Sequence, residues 1–235
     1  MSTQIDPLAV SADLLYSVKT DGESASLRSQ LARLDPGHLE WALSSRRHRL
    51  AFWLNVFNAS VQLIIEDRGG RFRGSRYDRW SVFARDRVEV AGTQLRLTDI
   101  RDGMLRHSRA RWGRGYVPRV FPSRFERRFR LPECDPRIHF ALSSADDHSP
   151  PVTIFSPAEV DEELDVATEW HLAETVTHDP NRRAITVPRL FKRYRGDFGG
   201  ASGIRGFLAR YDVPVERAAS IEYASFDRPV DVTRF

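Results

Sequence analysis

The stretch RHRLAFWLNVFNASVQLIIED, from Arg47 to Asp67, constrains the fold more than any other part of the chain. It reads as one helix that stops before Gly69-Gly70, a normal glycine terminus. Leu50, Phe52, Trp53, Leu54, Val56 and Phe57 point in nearly every direction around its axis. A helix apolar all round must be wrapped by the rest of the protein. A chain of 235 residues is long enough to do this within one domain. Asn55 and Asn58 are three apart and share a face of the helix. A buried amide needs partners. Bonding to nearby loop backbone is the simpler role, and orienting a site group is the sharper one.

The remaining elements can be placed around this helix. Residues 1–45 read as an N-terminal helical extension, with Leu8, Leu14, Leu15 and Val18 on one stripe and Leu27, Leu31 and Leu34 on a second. Asp35-Pro36 has Asp as N-cap and Pro at the first helical position. Residues 71–86 are a polar loop. Arg87–Val90 and Gln94–Leu97 flank Ala91-Gly92-Thr93 as a hairpin. Thr98 caps a short helix to about Arg106. From Arg109 to Leu131 arginines alternate with Trp112, Tyr116, Phe121, Phe125 and Phe129, among Gly113, Gly115, Pro118 and Pro122. This predicts an irregular wrapping segment with its aromatics turned inward. Ile138, Phe140 and Leu142 alternate with Arg137, His139, Ala141 and Ser143, which predicts a buried strand with His139 on the face of Arg137 and Ser143. Ser156-Pro157-Ala158-Glu159 is a capping box opening an acidic helix to about Val176, with His171 at its surface. Short strands follow at Ala184–Val187 and Ile221–Ala224, with a last helix from Gly203 to Tyr211. The expected fold is α+β: one domain over 46–235, a buried central helix packed on a small mixed sheet, and the 1–45 extension.

Most side chains capable of chemistry lie between Asp135 and Val152. His139 is followed by Ser144, Asp146, Asp147, His148, Ser149 and then Pro150-Pro151. Ser149 or Ser144 could act as nucleophile with His139 as base, since a serine hydroxyl needs a base to be activated. His139, Asp146, Asp147 and His148 are of types that hold a divalent ion, but their spacing matches no defined motif, so no metal is assigned. Gly199 to Gly203 lacks the lysine and the context of a phosphate loop. No cofactor is expected.

Four stretches together resemble the DUF547 family, a family of unknown function. DPRIHFAL with its polar loop and Pro-Pro is similar to the family's DPRIHFAL-x-CG-xx-SCPP. AFWLNVFNA at 51–59 is similar to FW-x-N-x-YNA, LTDIRDGMLR at 97–106 to L-x-DIEHGILR, and YRGDFGG at 194–200 to WYRGDFG. They occur in the family's order over roughly residues 45–210. The family's Cys, His and Glu look similar to the parts of a thiol hydrolase. Here His139 is kept, the cysteine positions read Ser144 and Ser149, and the glutamate position reads Arg101, followed by Asp102 where the family has His. The resemblance therefore implies a non-catalytic binding descendant, using His139, Arg137, Asn55, Asn58, Arg101 and Asp197. The alternative is a serine-based hydrolase or transferase. In the family, Thr-x-x-Glu would also form a capping box, a purely structural role for that glutamate. Arg101 cannot fill that role, and it places a cation at the positive end of a helix dipole.

Composition narrows the partners. The net charge is +4, but residues 101–130 hold ten arginines against two acids, while 133–182 hold twelve acids against two arginines. Such blocks either face each other or form two solvated surfaces. An unidentified small molecule or protein is the expected partner, nucleic acid is not, and no apolar run is long enough for a membrane helix. Cys134 is the sole cysteine, which excludes an internal disulfide. With no basic, apolar leader at MSTQIDPLAV, the expected compartment is the cytoplasm.

Overall fold

Three Asp-Pro pairs start three helices. Asp6 accepts from the Leu8 amide at 2.9 Å, Asp35 from the His38 amide at 2.7 Å and Asp135 from the Arg137 amide at 3.0 Å. In each pair the carboxylate takes up an orphan amide, and the proline sits where no amide is needed. The first two open α1 (Pro7–Lys19) and α3 (Pro36–Ala42). The third opens α7 (Ile138–Ala141), closed by the Leu142 amide on the Ile138 carbonyl at 3.0 Å. The expected strand at DPRIHFAL is therefore a helical turn. Its alternating pattern is real, but the Asp-Pro start decides the local conformation. Arg137 and His139 consequently diverge instead of sharing a face.

The structure, a computed structural model, describes residues 5–67, 71–72, 87–142, 153–179, 181–215, 219–224 and 232–233, with backbone alone for 71–72 and 232–233. The other elements are α2 (Ala25–Ala32), α4 (Arg46–Asp67), β1 (Arg71–Phe72), β2 (Arg87–Val90) and β3 (Thr93–Arg96). They continue with α5 (Asp99–Leu105, π-helical), α6 (Arg124–Phe129), α8 (Val160–Thr175), β4 (Thr177–Asp179) and β5 (Ala184–Val187). The chain ends with α9 (Leu190–Arg193), α10 (Gly200–Arg210), β6 (Ser220–Tyr223) and β7 (Val232–Thr233). The fold is α+β, as the sequence implies. No helix among the described residues is long and apolar enough to cross a membrane.

The long helix α4 is buried from Leu50 to Gln62 on every side. Val10, Leu14, Leu15 and Val18 of α1, Leu31 of α2, Leu95 of β3, Ile100 of α5, Phe129 of α6 and Leu164 of α8 surround it in one apolar cluster. Trp53 satisfies its indole N–H on the Phe129 carbonyl at 3.0 Å, which fixes α6 to α4. A second cluster joins Phe140, Leu172, Ile185, Val187, Phe191, Phe198, Ile204 and Leu208. It is roofed by a mixed sheet in which β5 pairs antiparallel with β4 and parallel with β6. The β2–β3 hairpin turns at Ala91 and Gly92, both at positive φ, the geometry of a tight two-residue hairpin turn. β1 and β7 pair antiparallel.

Two further expectations are overturned. Trp112, Tyr116 and Phe121 point outward, at 78, 54 and 93 % exposure, whereas Phe129 is buried and Phe125 packs on the main cluster. The segment is braced by backbone bonds from Ala110 to Val117 and from Arg119 to Ser108, so it stands without those aromatics as a core. His171 is buried and lies edge-on to Phe140, because it falls on the inward stripe of α8. The capping box at Ser156 is half as expected. Ser156 Oγ accepts from the Glu159 amide, but the return bond to the Ser156 amide comes from Glu163. The acidic helix is neutralised by Arg46, Arg47, Arg137 and Arg210, none of which belongs to the basic block at 101–130.

Candidate functional site

The elements α5, α7 and the segment before α10 converge on a buried chain of alternating charges. Arg101 donates through two nitrogens to the two oxygens of Asp102, each at 2.9 Å. Asp102 also accepts from Arg106 Nη1 at 2.9 Å. Arg106 Nε donates to Asp197 Oδ2 at 2.6 Å, and His139 Nε2 lies 2.8 Å from the same oxygen. The π-helical winding of α5, closed by the Arg106 amide on the Arg101 carbonyl, brings Arg101, Asp102 and Arg106 inward together. Such windings recur at functional sites.

His139 is held from all sides. It stacks on Tyr194 with ring centroids 3.9 Å apart and 11° between planes, and Phe198 lies tilted at 5.7 Å. A carboxylate only accepts, so His139 Nε2 carries the proton and Nδ1 is left as the acceptor. Burial pushes the His139 pKa below its ordinary value; Asp197 pulls it up, while Arg106 and Arg101 push it further down. Asp197 would be raised by burial, but its bonds with His139 and Arg106 hold it below the usual carboxylate range. Asp102 is likewise held far below that range by Arg101 and Arg106, against the opposing effect of burial. Among the described residues, two guanidiniums, two carboxylates and a neutral imidazole sum to zero.

Cys134 joins the same cluster. Its sulfur and one ligating atom each of His139 and Asp197 all lie within 4.8 Å of one another. Burial, then the Asp197 charge, push this thiol well above its ordinary pKa. Cysteine, histidine and carboxylate are the donor types of a zinc centre. The charge count among the described residues does not suit one. A dication plus a thiolate would join Asp102, Asp197, Arg101 and Arg106 and leave the buried cluster at +1. Arg106 already serves as the counter-ion of Asp197.

The other expected site residues fall elsewhere. Arg137 is locked onto Asp135, Asp161 and Asp165 and braces α7 against α8. Asn55 makes two bonds to Phe155, its amide donating to the carbonyl and its oxygen accepting from the amide, each at 2.9 Å. Asn58 donates to the Ala141 carbonyl at 3.1 Å. Both asparagines therefore hold backbone on either side of the 143–152 stretch. Ser144, Ser149, Asp146, Asp147 and His148 lie outside the described residues. Arg106, Tyr194 and Cys134 were not singled out from sequence; the only signal was that Arg106 and Tyr194 fall inside matched motifs.

The family model described as "Protein of unknown function, DUF547" matches residues 42–172. The chain belongs to the DUF547 family. The DUF547 match spans α4, the hairpin, α5, α7 and most of α8, and ends before Asp197, so the carboxylate facing His139 comes from beyond it. No curated protein and no solved structure shows significant similarity to this DUF547 chain.

Proposed function

We propose that this chain is a binding member of its family that works without covalent catalysis. The observation that carries the reading is the charge balance of the Arg101–Asp102–Arg106–Asp197–His139 chain. A general base must accept a proton, and in a working dyad the carboxylate is the counter-ion of the imidazolium that forms. Here Asp197 already serves Arg106, so protonating His139 would leave a buried surplus charge beside two guanidiniums. The protonated Cys134 thiol is a poor nucleophile. The ligand class that fits is a small molecule bearing a carboxylate or phosphate. Arg193 approaches Tyr194 at 5.4 Å from its ring centre, and Arg111 is crowded by Arg101 and Arg193.

The test treats the purified protein with a fluorophosphonate probe and with iodoacetamide, read by intact mass. A panel of carboxylates and phosphates is then screened by thermal shift. No covalent label, with a stabilising anion whose effect is lost in Arg193→Ala, is the expected result. Labelling of Ser144 or Ser149 that disappears in His139→Ala would overturn it. That outcome would favour the second reading, a serine hydrolase, which rests on the 2.8 Å contact of His139 Nε2 with Asp197 and the acceptor role this leaves to Nδ1.

A further inference from the structure

Among the described residues, two of the surfaces that expose large apolar side chains carry opposite charge. The first is a tongue formed where the chain doubles back between Arg109 and Pro118, which pair as an antiparallel bridge. Its tip exposes Trp112, Arg114 and Tyr116, and its base exposes Val120 at 79 %, Phe121 at 93 % and Arg124. The tongue is seated firmly. The Gly196 amide bonds to the Arg114 carbonyl at 2.7 Å, and a Cβ on Gly196 would sit 2.4 Å from the Gly115 carbonyl carbon. The exposed aromatics are thus presented by fixed backbone.

The second surface is the outward stripe of α8. Glu162, Val166, Glu169, Trp170, Ala173 and Glu174 are all exposed and recur at spacings of three and four, which puts them on one helix face. Val166 is 59 % and Trp170 39 % exposed. The inward stripe of the same helix, Val160, Leu164, Ala167, Thr168, His171 and Leu172, is buried. The acids that pair with arginines, Asp161 and Asp165, belong to the flank, so the acids of the exposed stripe are not the ones that tie α8 to the fold.

We propose that these are the two halves of one contact, and that copies of this chain associate by seating the basic, aromatic tongue of one on the acidic, apolar stripe of α8 of another. Charge complementarity selects the occupant. A nucleic acid or an anionic membrane would suit the tongue and leave the exposed Val166 and Trp170 without a purpose, while a second copy accounts for both surfaces at once. Tryptophan and arginine are the side chains that dominate such contacts; the tongue supplies Trp112 with Arg114 and Arg124, and the stripe meets them with Trp170 and its glutamates. In a twofold pair the contact is made twice, reciprocally, as an isologous interface; made head to tail it is heterologous and closes into a ring or runs on into longer assemblies.

Sedimentation velocity of the full chain over a range of concentrations, at low and at high salt, reads this directly. Association that rises with concentration and falls with salt is expected. Trp112→Ala and Trp170→Ala should each weaken it by about 10-fold or more. The double variant Arg114→Glu/Arg124→Glu should sediment as a monomer, as should Glu162→Arg/Glu169→Arg, and an equimolar mixture of the two should associate again. All six positions are exposed, and unchanged thermal melts verify that the variants fold. A wild-type chain that stays monomeric at every concentration and salt overturns the proposal. So do association that survives both tryptophan changes, and charge-reversed variants that fail to recover when mixed. A monomer whose tongue instead binds a labelled oligonucleotide or anionic vesicles would assign the tongue to that partner and overturn it equally.

Discussion

At the scale of single residues, Asp102 has the widest reach. It is paired with the neighbouring Arg101, and the two answer each other as a bidentate ion pair. Its side chain is fully buried between two guanidiniums. Removing one partner of such a pair strands a buried charge, typically at a cost of about 3–5 kcal/mol. Asp102→Asn should therefore destabilise the protein by that order in urea denaturation, whereas the paired change Arg101→Leu/Asp102→Asn should recover part of the loss. His139 sets the pH response. Its folded pKa lies below its ordinary 6.5, so its contribution to stability is present in full above pH 6.5 and is lost as pH falls from there through the folded value. Asp197 and Asp102 are also depressed, but from 3.8, so their contribution is lost only in stronger acid. Melting temperatures between pH 8 and pH 4.5 should decline below about 6.5, the ordinary histidine pKa, and His139→Gln should flatten that part of the curve.

At the scale of elements, the asparagines of α4 act as substitutes for missing backbone. Asn55 reproduces with its amide the two bonds that a neighbouring strand would give Phe155. Truncation would leave a buried N–H and a buried C=O unpaired. Each costs about 1–3 kcal/mol, so Asn55→Ala should lower stability by roughly 2–6 kcal/mol on that basis, more than a polar-to-alanine change at an exposed position such as Ser26. Equilibrium unfolding of the two variants compares them directly. Sequence alone leaves the asparagines open between holding backbone and orienting a site; among the described residues Asn55 bonds the Phe155 backbone and Asn58 the Ala141 carbonyl. The Asp-Pro pair at 135–136 teaches a similar lesson. The same dipeptide predicts α3 correctly at Asp35-Pro36, yet at DPRIHFAL the alternation of Ile138, Phe140 and Leu142 outweighs it on paper. In the folded chain Asp135 is also the counter-ion of Arg46, 89 residues away, and that long-range pair favours the turn that a local pattern cannot weigh.

For the whole molecule, the decisive fact is that one apolar cluster runs from Val10 to Leu164. Leu14, Leu15 and Leu31 have essentially no exposure, so the N-terminal helices cover α4. A chain starting at residue 46 would uncover that face. Burial of a large apolar side chain stabilises by about 1.5–3 kcal/mol, and several lost together exceed the usual stability of about 5–15 kcal/mol. The truncated chain should lack a cooperative thermal transition by circular dichroism, and adding the 1–45 segment in trans should restore one only weakly.

The sequence by itself determined the burial of α4, the β2–β3 hairpin, the helix start at Asp35, and the α+β class. These follow from periodicity, capping and turn chemistry, which act between residues a few positions apart. Family membership was legible too, because four motifs keep their order. The tertiary structure alone decided the partner of His139. Asp197 lies 58 residues away in the chain, reached through the glycine contact of Gly115 with Asp197 and the stacking of Tyr194. It also decided that Arg101 and Asp102 answer each other, that Cys134 joins their cluster, and that Trp112 and Phe121 face outward. Those outcomes depend on which distant surfaces meet and which charges they bury together, and no local pattern in the chain encodes that.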